Sequence, residues 1–399
     1  MSVTTLARFG AFDQLAARLE AGADVSSATA LAARGLLEMY RGEVAAAESS
    51  LRRALDVPGD SSVRYLAFGG LQSILLEDGR YAALESVALE AWTENLETSS
   101  DNRVVSGTLN RAGFGGTTIT GPPTASRAVL EPSQFGQTVA RVAVNGAPAQ
   151  DFYFDTGASM SVLTEGTARR CGVPLLAGEA GATGTSTERQ VSFRVGLVDS
   201  LIIAGVTARA VPVMVVPDED LELALPTGET LRVNGIVGWP LLARLRVTFD
   251  YPAQTMTVEL PQARTAGSAR NLAFFGMPMV EVAVDASGPL HFILDTGARN
   301  SCLLGPGLDR LARAPKLEEH SGYRAGAGGG GTYVEQRIPK ASITCAGQTV
   351  AGLSLPVRSL SESDMTVQAD GILGWNVLRH FVVTLDAPNG TVELKRPGR

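Results

Sequence analysis

Apolar positions divide the chain into two parts with different periods. Over residues 1 to about 95, alanine and leucine recur at spacings of three and four, which is typical of amphipathic helices. From about residue 129 onward, short runs rich in valine and phenylalanine alternate with turns containing glycine, proline or asparagine, which is typical of β-strands. The pattern therefore predicts a multidomain protein, with an all-α N-terminal domain (1–95) followed by a mainly β region.

The helical part contains a weak internal repeat. GEVAAAESSLRRAL begins at Gly42 and GRYAALESVALEAW begins at Gly79, and apolar residues recur at matching positions in both. The two segments are offset by 37 residues. A repeat of this length is typical of helical hairpins that pack along a shared apolar face, and it resembles tetratricopeptide repeats without their full signature. A plain helical bundle is the alternative. Residues 96–128 are rich in serine, threonine, glycine and proline, which predicts a linker.

Two motifs occur twice in the β region. FDTGAS (154–159) and LDTGAR (294–299) each follow a strand-like run, and NGIVGW (234–239) and DGILGW (370–375) come later in each copy. The aspartate of the first motif lies 80 residues before the first glycine of the second motif in one copy, and 76 residues before it in the other. The matched order and spacing predict two β lobes derived from a single ancestor, 129–262 and 263–399.

The repeated aspartates, Asp155 and Asp295, are the candidate catalytic residues. Two carboxylates that meet across a lobe interface cannot both ionise, so they share one proton. The ionised partner can act as a general base on water while the protonated partner donates to a carbonyl oxygen. This chemistry hydrolyses an amide without a metal or a cofactor. The residues that follow each aspartate are expected to hold the two carboxyl groups in place, the glycines by letting the backbone approach closely and the threonines through hydrogen bonds from their hydroxyls. These residues are Thr156, Gly157, Thr296 and Gly297.

These motifs resemble the aspartic proteases over residues 130–396. The resemblance implies a two-lobed, pseudo-twofold acid protease barrel fold and an aspartic endopeptidase that acts on a peptide or protein substrate. It also implies a monomeric active site, because one chain supplies both aspartates. Ala158 and Ala298 replace the serine or threonine of the pepsin branch, so the chain is similar to two bacterial retropepsin-like units fused together. The missing hydroxyls predict activity at mildly acidic to neutral pH.

The same family closes its cleft with hairpin flaps between the two motifs of each lobe. The corresponding glycine-rich segments are 178–193 and 321–338, and glycine suits a hairpin tip that opens and closes. The helical domain is expected to recruit the substrate or a protein partner. The alternative function is a catalytically silent peptide-binding module that keeps the protease fold. The candidate flap residues are Gly181, Thr183, Gly184, Gly326, Gly328 and Gly329.

Composition excludes several other classes of function. The formal net charge is −7, which argues against a nucleic-acid partner, and no apolar run is long enough to span a membrane. The three cysteines and three histidines are isolated from one another, so no metal site is expected. The N-terminal residues lack a signal-peptide pattern, which predicts a cytoplasmic protein. A periplasmic or secreted protein whose signal was trimmed is the alternative.

Overall fold

The computed structural model describes residues 1–22, 27–96, 100–122, 124–131, 138–183, 190–224, 230–262, 270–326, 329–358 and 365–398. Within them, seven helices precede the first strand: α1 (Val3–Arg8), α2 (Phe12–Glu20), α3 (Ala28–Arg41), α4 (Val44–Asp56), α5 (Ser61–Glu77), α6 (Tyr81–Thr93) and α7 (Ser100–Arg111). The N-terminal part is therefore helical, and the remainder of the chain is mainly β.

Local sequence signals set the limits of the longer helices. The Asp60 carboxylate accepts the N–H of Val63 and begins α5. Gly42 follows α3 with a φ of 74°, and this left-handed conformation ends the helix at little cost for glycine. Successive helices from α3 to α7 pack against one another, with α5 buried on nearly all sides. The likeness to tetratricopeptide repeats stays a prediction.

The segment treated above as a linker contains ordered structure. Helix α7 covers 100–111 and buries Val105 and Leu109. It packs against α6 on one side and against two strands of the β region on the other. The serine- and glycine-rich composition of 96–128 is therefore compatible with a helix that is held by tertiary contacts.

The strands are named in chain order. The first group is β1 (Thr118–Thr120), β2 (Ser126–Glu131), β3 (Val139–Val144), β4 (Gln150–Phe154), β5 (Ser161–Thr164), β6 (Leu175–Thr183), β7 (Gln190–Ile203), β8 (Val206–Val216), β9 (Glu222–Ala224), β10 (Thr230–Arg232), β11 (Gly235–Val237), β12 (Arg246–Asp250) and β13 (Thr255–Glu259). The second group is β14 (Leu272–Phe274), β15 (Pro278–Val284), β16 (Leu290–Leu294), β17 (Cys302–Leu304), β18 (Glu318–Gly326), β19 (Gly329–Cys345), β20 (Gln348–Arg358), β21 (Gly371–Leu373), β22 (Val382–Asp386) and β23 (Thr391–Lys395). The short helices among them are α8 (Glu165–Arg170), α9 (Trp239–Leu242), α10 (Gly305–Asp309) and α11 (Trp375–Leu378).

Two sets of strands have the same order and pairing. The first β unit runs β3-β4-β11-β5-β8-β7-β6, and the second β unit runs β15-β16-β21-β17-β20-β19-β18. In both units the first strand also pairs with the sixth, β3 with β7 and β15 with β19. Ile236 pairs with Tyr153 and Val162 in one unit, while Ile372 pairs with Ile293 and Cys302 in the other. The repeated motifs therefore take the same register in each unit.

Four strands, called the connecting sheet, continue from the first β unit through β2 and link the two units. Strand β12 pairs antiparallel with β22, and Thr248 lies opposite Thr384 with their hydroxyls 3.1 Å apart. The outer strands β13 and β23 continue the sheet on either side of this pair. The buried apolar residues of the helices and of both units form one contiguous core. The relative position of the two units is therefore fixed by main-chain hydrogen bonds and by packing.

The helical part packs against the second β unit. Phe12 stacks on Tyr40 and Phe275, with ring centroids 4.4 and 5.4 Å apart, and the edge of His291 lies 5.5 Å from Phe12. The Tyr40 hydroxyl donates to the Glu281 carboxylate. His291 is part of β16, the strand that leads to Asp295. The helices are therefore joined to the framework of the candidate site. No helix in the described part of the chain is long and apolar enough to cross a membrane.

Candidate active site

Equivalent strands carry the two candidate aspartates. Strand β4 ends at the buried Phe154 and β16 ends at the buried Leu294, so Asp155 and Asp295 are the first residues beyond their strands. The Asp155 N–H donates to the carbonyl of Val237, and the Asp295 N–H donates to that of Leu373, both at 3.0 Å. The backbone of each aspartate is therefore held by the second motif of its own unit.

Glycine is required where the second motif passes beneath the aspartate loop. A Cβ atom on Gly238 would lie 2.4 Å from the Met160 carbonyl oxygen, and one on Gly374 would lie 2.8 Å from the Ala298 carbonyl oxygen. These distances are shorter than non-bonded atoms tolerate, so a larger residue would push the aspartate loop outward. The second glycine of each of these motifs thus has a packing role.

Two serines that the sequence analysis did not single out complete this support. The Ser161 hydroxyl accepts the Gly238 N–H at 3.1 Å, and the Ser301 hydroxyl accepts the Gly374 N–H at 2.9 Å. Both serines are buried. Each lies six residues beyond its aspartate, so a position-by-position comparison of the two copies would have identified them.

Thr156 and Thr296 connect the two aspartate loops to each other. The Thr156 hydroxyl donates to the Leu294 carbonyl at 2.5 Å and accepts the Thr296 N–H at 3.0 Å. Reciprocally, the Thr296 hydroxyl donates to the Phe154 carbonyl at 2.6 Å and accepts the Thr156 N–H at 3.1 Å. Both side chains are buried, so these four hydrogen bonds fix one loop against the other.

The carboxyl groups of Asp155 and Asp295 lie close enough for each to shift the pKa of the other. Glycine permits the approach, because a Cβ on Gly157 would lie 2.7 Å from the Asp295 Cγ and one on Gly297 would lie 2.4 Å from the Asp155 Cγ. Both aspartates are half-buried. The structure therefore brings together all six residues predicted for the dyad and its support.

Backbone donors differ between the two carboxyl groups. The Gly297 and Ala298 N–H groups donate to the Asp295 Oδ1 atom at 2.9 and 2.8 Å. The Gly157 N–H donates to the Asp155 Oδ1 at 2.8 Å, whereas the Ala158 N–H donates to the Asp155 main-chain carbonyl at 3.2 Å. Because N–H donors favour the ionised form, Asp295 is the better stabilised carboxylate.

Burial raises the pKa of both aspartates. Repulsion from the Asp295 charge raises the pKa of Asp155 further, whereas the hydrogen bond from Asp155, the two N–H donors and the Arg358 guanidinium oppose the rise in the pKa of Asp295. The shared proton is therefore held preferentially by Asp155. At neutral or mildly acidic pH the pair carries one acid and one base.

Arg358 belongs to a cluster found in one unit only. The buried Glu335 carboxylate lies 2.7 Å from the Arg337 guanidinium and 3.6 Å from that of Arg358. Strand register makes these three residues equivalent to Phe193, Val195 and Val216, which are buried and apolar. The cluster has two cations and one anion. The Arg358 guanidinium of this cluster favours the ionised form of Asp295.

The candidate flap residues fall on two hairpins. Gly181 and Thr183 lie on β6 and pair with Ser192 and Gln190 of β7. Gly326 pairs with Gly329 at the end of the β18–β19 hairpin. Gly184 and Gly328 lie outside the described residues. The hairpin expected in each unit is present, and its role as a flap stays a prediction.

In the described part of the chain, no group of three or more histidine, cysteine, aspartate or glutamate residues could hold a metal ion. The three cysteines are free and buried.

Comparison with known proteins supports a relation to aspartic proteases. Residues 140–241 match the family model described as "Aspartyl protease", and this range includes the first aspartate loop and the first GIVGW segment. No curated protein has a significantly similar sequence.

Two of the solved structures that match this chain are only loosely similar to it. The basic 7S globulin from soybean has 10% identity, covering 69% of this chain and 95% of its own, with a TM-score of 0.40. A retropepsin-like aspartic protease from Rickettsia conorii has 17% identity, covering 36% of this chain and 92% of its own, with a TM-score of 0.23. Both TM-scores are low, so the functional assignment depends on the site geometry and the family match.

Proposed function

We propose that the protein is an aspartic endopeptidase whose dyad is Asp155 and Asp295. One observation carries the proposal: two Asp-Thr-Gly loops from separate β units bond reciprocally through Thr156 and Thr296, and this contact brings the two carboxyl groups together. Two carboxyl groups held against each other and partly out of water cost free energy, and titratable pairs of this kind are concentrated at functional sites. Hydrolysis of a peptide bond uses this arrangement directly.

The asymmetry of the dyad assigns a role to each carboxyl group. The Asp295 carboxylate removes a proton from a water molecule as the water oxygen attacks the peptide carbonyl carbon. Asp155 gives its proton to the carbonyl oxygen, which produces a tetrahedral gem-diol. Asp295 then returns its proton to the amide nitrogen while Asp155 takes one from a hydroxyl of the gem-diol. The C–N bond breaks, an acid and an amine leave, and Asp155 again carries the proton.

We infer that the two β units are lobes related by a pseudo-twofold axis. Identical strand order, equal register at the glycine motifs and the Thr248–Thr384 pairing at the centre of the connecting sheet support this arrangement. The lobes are placed at 129–262 and 263–399, after a helical domain at 1–95. Because both aspartates belong to one chain, the active site is monomeric, and the β6–β7 and β18–β19 hairpins are its flaps.

The helical domain is proposed to present a protein substrate or partner to the cleft. Its packing against the second β unit supports a fixed orientation of the two parts. A catalytically silent peptide-binding module, the alternative considered from the sequence, needs the cleft but not a dyad in which acid and base are distinguished.

The decisive experiment is the cleavage of a diverse peptide mixture by wild type and by Asp295→Asn, from about pH 3 to about pH 8, with and without pepstatin. Cleavage by wild type that is lost in the variant and inhibited by pepstatin supports the proposal. Peptide binding by both proteins without cleavage at any pH would establish the binding module instead.

A further inference from the structure

A cavity of about 340 Å³ lies between the helical part and the first β unit. Its walls come from the α5–α6 turn, from residues 115–118, from the end of the first aspartate loop and from α9 with the residues that follow it. This volume is within the range of sites that hold small organic molecules. The cavity is separate from the dyad but touches the segment that supports Asp155.

One cation in the wall has no partner among the residues that the structure describes. Arg80 is paired with the carboxylates of Glu48 at 2.6 Å and Asp78 at 3.3 Å, so its charge is compensated. Arg244 is half-buried, and its guanidinium makes no ion pair or hydrogen bond with any described residue. A half-buried guanidinium without a partner favours an anionic ligand.

The nearby Glu77 carboxyl opposes an anion only weakly in mildly acidic solution. Burial raises the pKa of Glu77 to about 7, with a further rise from the charge of Asp78 and an opposing effect from Arg270. The carboxyl is therefore largely protonated in mildly acidic solution. In that form it can donate a hydrogen bond to a ligand oxygen.

The remaining wall is partly apolar. Leu76, Met160, Pro240 and Leu241 line the cavity together with the ring of Tyr81. A free inorganic anion would leave this surface unused, whereas a small organic acid would cover it. The planar fork of arginine matches the two oxygens of a carboxylate.

We propose that this cavity binds a small carboxylate that carries an apolar side chain, with Arg244 as the carboxylate-binding residue. A free aliphatic acid and the terminal carboxylate of a short peptide share this chemistry. The volume accommodates either one. Binding here does not depend on peptide cleavage, because none of the wall residues belongs to the dyad.

Binding would affect the first aspartate loop through direct contact. Met160 and Ser161 belong to the cavity wall, and the Ser161 hydroxyl holds the Gly238 N–H beneath Asp155. Residues 115–118 follow α7, and α7 packs against the β6–β7 hairpin. The ligand would therefore join the helical part, the loop of Asp155 and the base of one hairpin.

Isothermal titration calorimetry near pH 6 tests the site with N-acetyl-leucine, N-acetyl-leucinamide and inorganic phosphate as probes. We expect N-acetyl-leucine to bind wild type, with Kd about 10- to 100-fold weaker in Arg244→Gln because a charge-assisted hydrogen-bonded pair is lost. Arg244→Lys keeps the charge without the fork and should give an intermediate Kd, and it serves as the test if Arg244→Gln does not fold. Arg127→Gln, at an exposed arginine of β2 outside the cavity, is the matched control and should bind as wild type does.

The peptide acid N-acetyl-alanyl-leucine separates the two ligand sources. Tighter binding of this peptide than of N-acetyl-leucine would identify a peptide terminus, and weaker binding would identify a free acid, and both results support the carboxylate site. Equal binding of the amide and the acid would overturn it, as would binding that Arg244→Gln leaves unchanged. Phosphate binding of equal strength, lost in Arg244→Gln, would show a general anion site and would also overturn it.

Discussion

Thr156 and Thr296 each accept the other's backbone N–H at the side-chain hydroxyl, at 3.1 and 3.0 Å, while donating to a carbonyl of the opposite β unit. Through this reciprocal contact each unit directly satisfies buried backbone groups of the other. The alignment of the two carboxyl groups therefore depends on side chains that do no chemistry themselves.

Thr156→Val should weaken both folding and activity. Valine keeps the shape but removes one donor and one acceptor, leaving the Leu294 carbonyl and the Thr296 N–H buried without partners. We expect a loss of about 2–5 kcal/mol in the free energy of unfolding, measured by urea denaturation. Thr248→Val, in the connecting sheet, is the matched control and should cost less than about 1 kcal/mol. Equal costs for the two variants would contradict the proposed role of Thr156.

Asp155→Asn should abolish cleavage and raise stability at neutral pH. The folded-state pKa of Asp155 is raised above its unfolded value, so ionisation opposes folding. This cost is absent below the unfolded pKa near 4 and is fully present above the folded pKa. We therefore expect a higher Tm than wild type at pH 8 and a similar Tm at pH 3. A Tm lower than that of wild type at pH 8 would contradict the argument that ionisation of Asp155 destabilises the folded state.

Arg358→Met should change the pH dependence of cleavage. The Arg358 charge favours ionised Asp295, so its removal raises the pKa of the base. The acid limb of the kcat/KM profile should move up by as much as about one pH unit. Val216→Met, at the equivalent position of the first β unit, is the control and should leave that limb in place. An unmoved acid limb in Arg358→Met would separate the charged cluster from the dyad.

Glu77→Gln should stabilise the protein as pH rises. The pKa of Glu77 is raised by burial to about 7, so below the unfolded pKa both states are protonated and the substitution has little effect. As the pH rises from the pKa of Glu77 in the unfolded state to about 7, Glu77 ionises in the unfolded state but stays protonated in the folded state, which lowers the stability of the wild-type protein. We expect the Tm difference between variant and wild type to be near zero at pH 4 and positive at pH 8. If the Tm difference between variant and wild type stayed constant over this pH range, ionisation of Glu77 would not be a cause of the pH dependence of stability.

The helical part and the β region should unfold together. Phe12, Tyr40, Phe275 and His291 form one aromatic cluster across their contact, and the Gln368 N–H donates to the Arg8 carbonyl at 2.7 Å. We expect a single cooperative transition by calorimetry, and a loss of about 3–5 kcal/mol for Phe12→Ala. An early transition confined to the helices would instead favour an independent recruiting domain.

The sequence was most informative where the chain repeats itself. Two copies of Asp-Thr-Gly and of the later glycine motif predicted the dyad and its support, because each copy corroborates the other. Ser161 and Ser301 were missed because serine near a turn has many ordinary explanations. Helix α7 was missed because its buried positions 105–109 include only two large apolar side chains, Val105 and Leu109, so its stability comes from packing on α6 and on the β6–β7 hairpin.

The electrostatic asymmetry could not be predicted from the same comparison. Glu335 and Arg337 are two residues apart on β19, but Arg358 lies on β20, and only strand pairing brings it close to Glu335. Nothing in the sequence distinguishes them from other surface charges. The contact between His291 and the helical part was likewise hidden, since the sequence presents His291 as one apolar-flanked residue before Asp295.

The confinement of the Glu335 cluster to one β unit has a consequence for how such a site can evolve. In an assembly of two identical chains, any mutation beside one aspartate appears beside the other, so the two carboxyl groups must stay equivalent. A single chain that carries both copies is free of this constraint. A mutation at Val216 can occur without one at Arg358, and the reverse also holds, so the surroundings of one carboxyl group can change separately from those of the other. Different roles for Asp155 and Asp295 can therefore be inherited and selected.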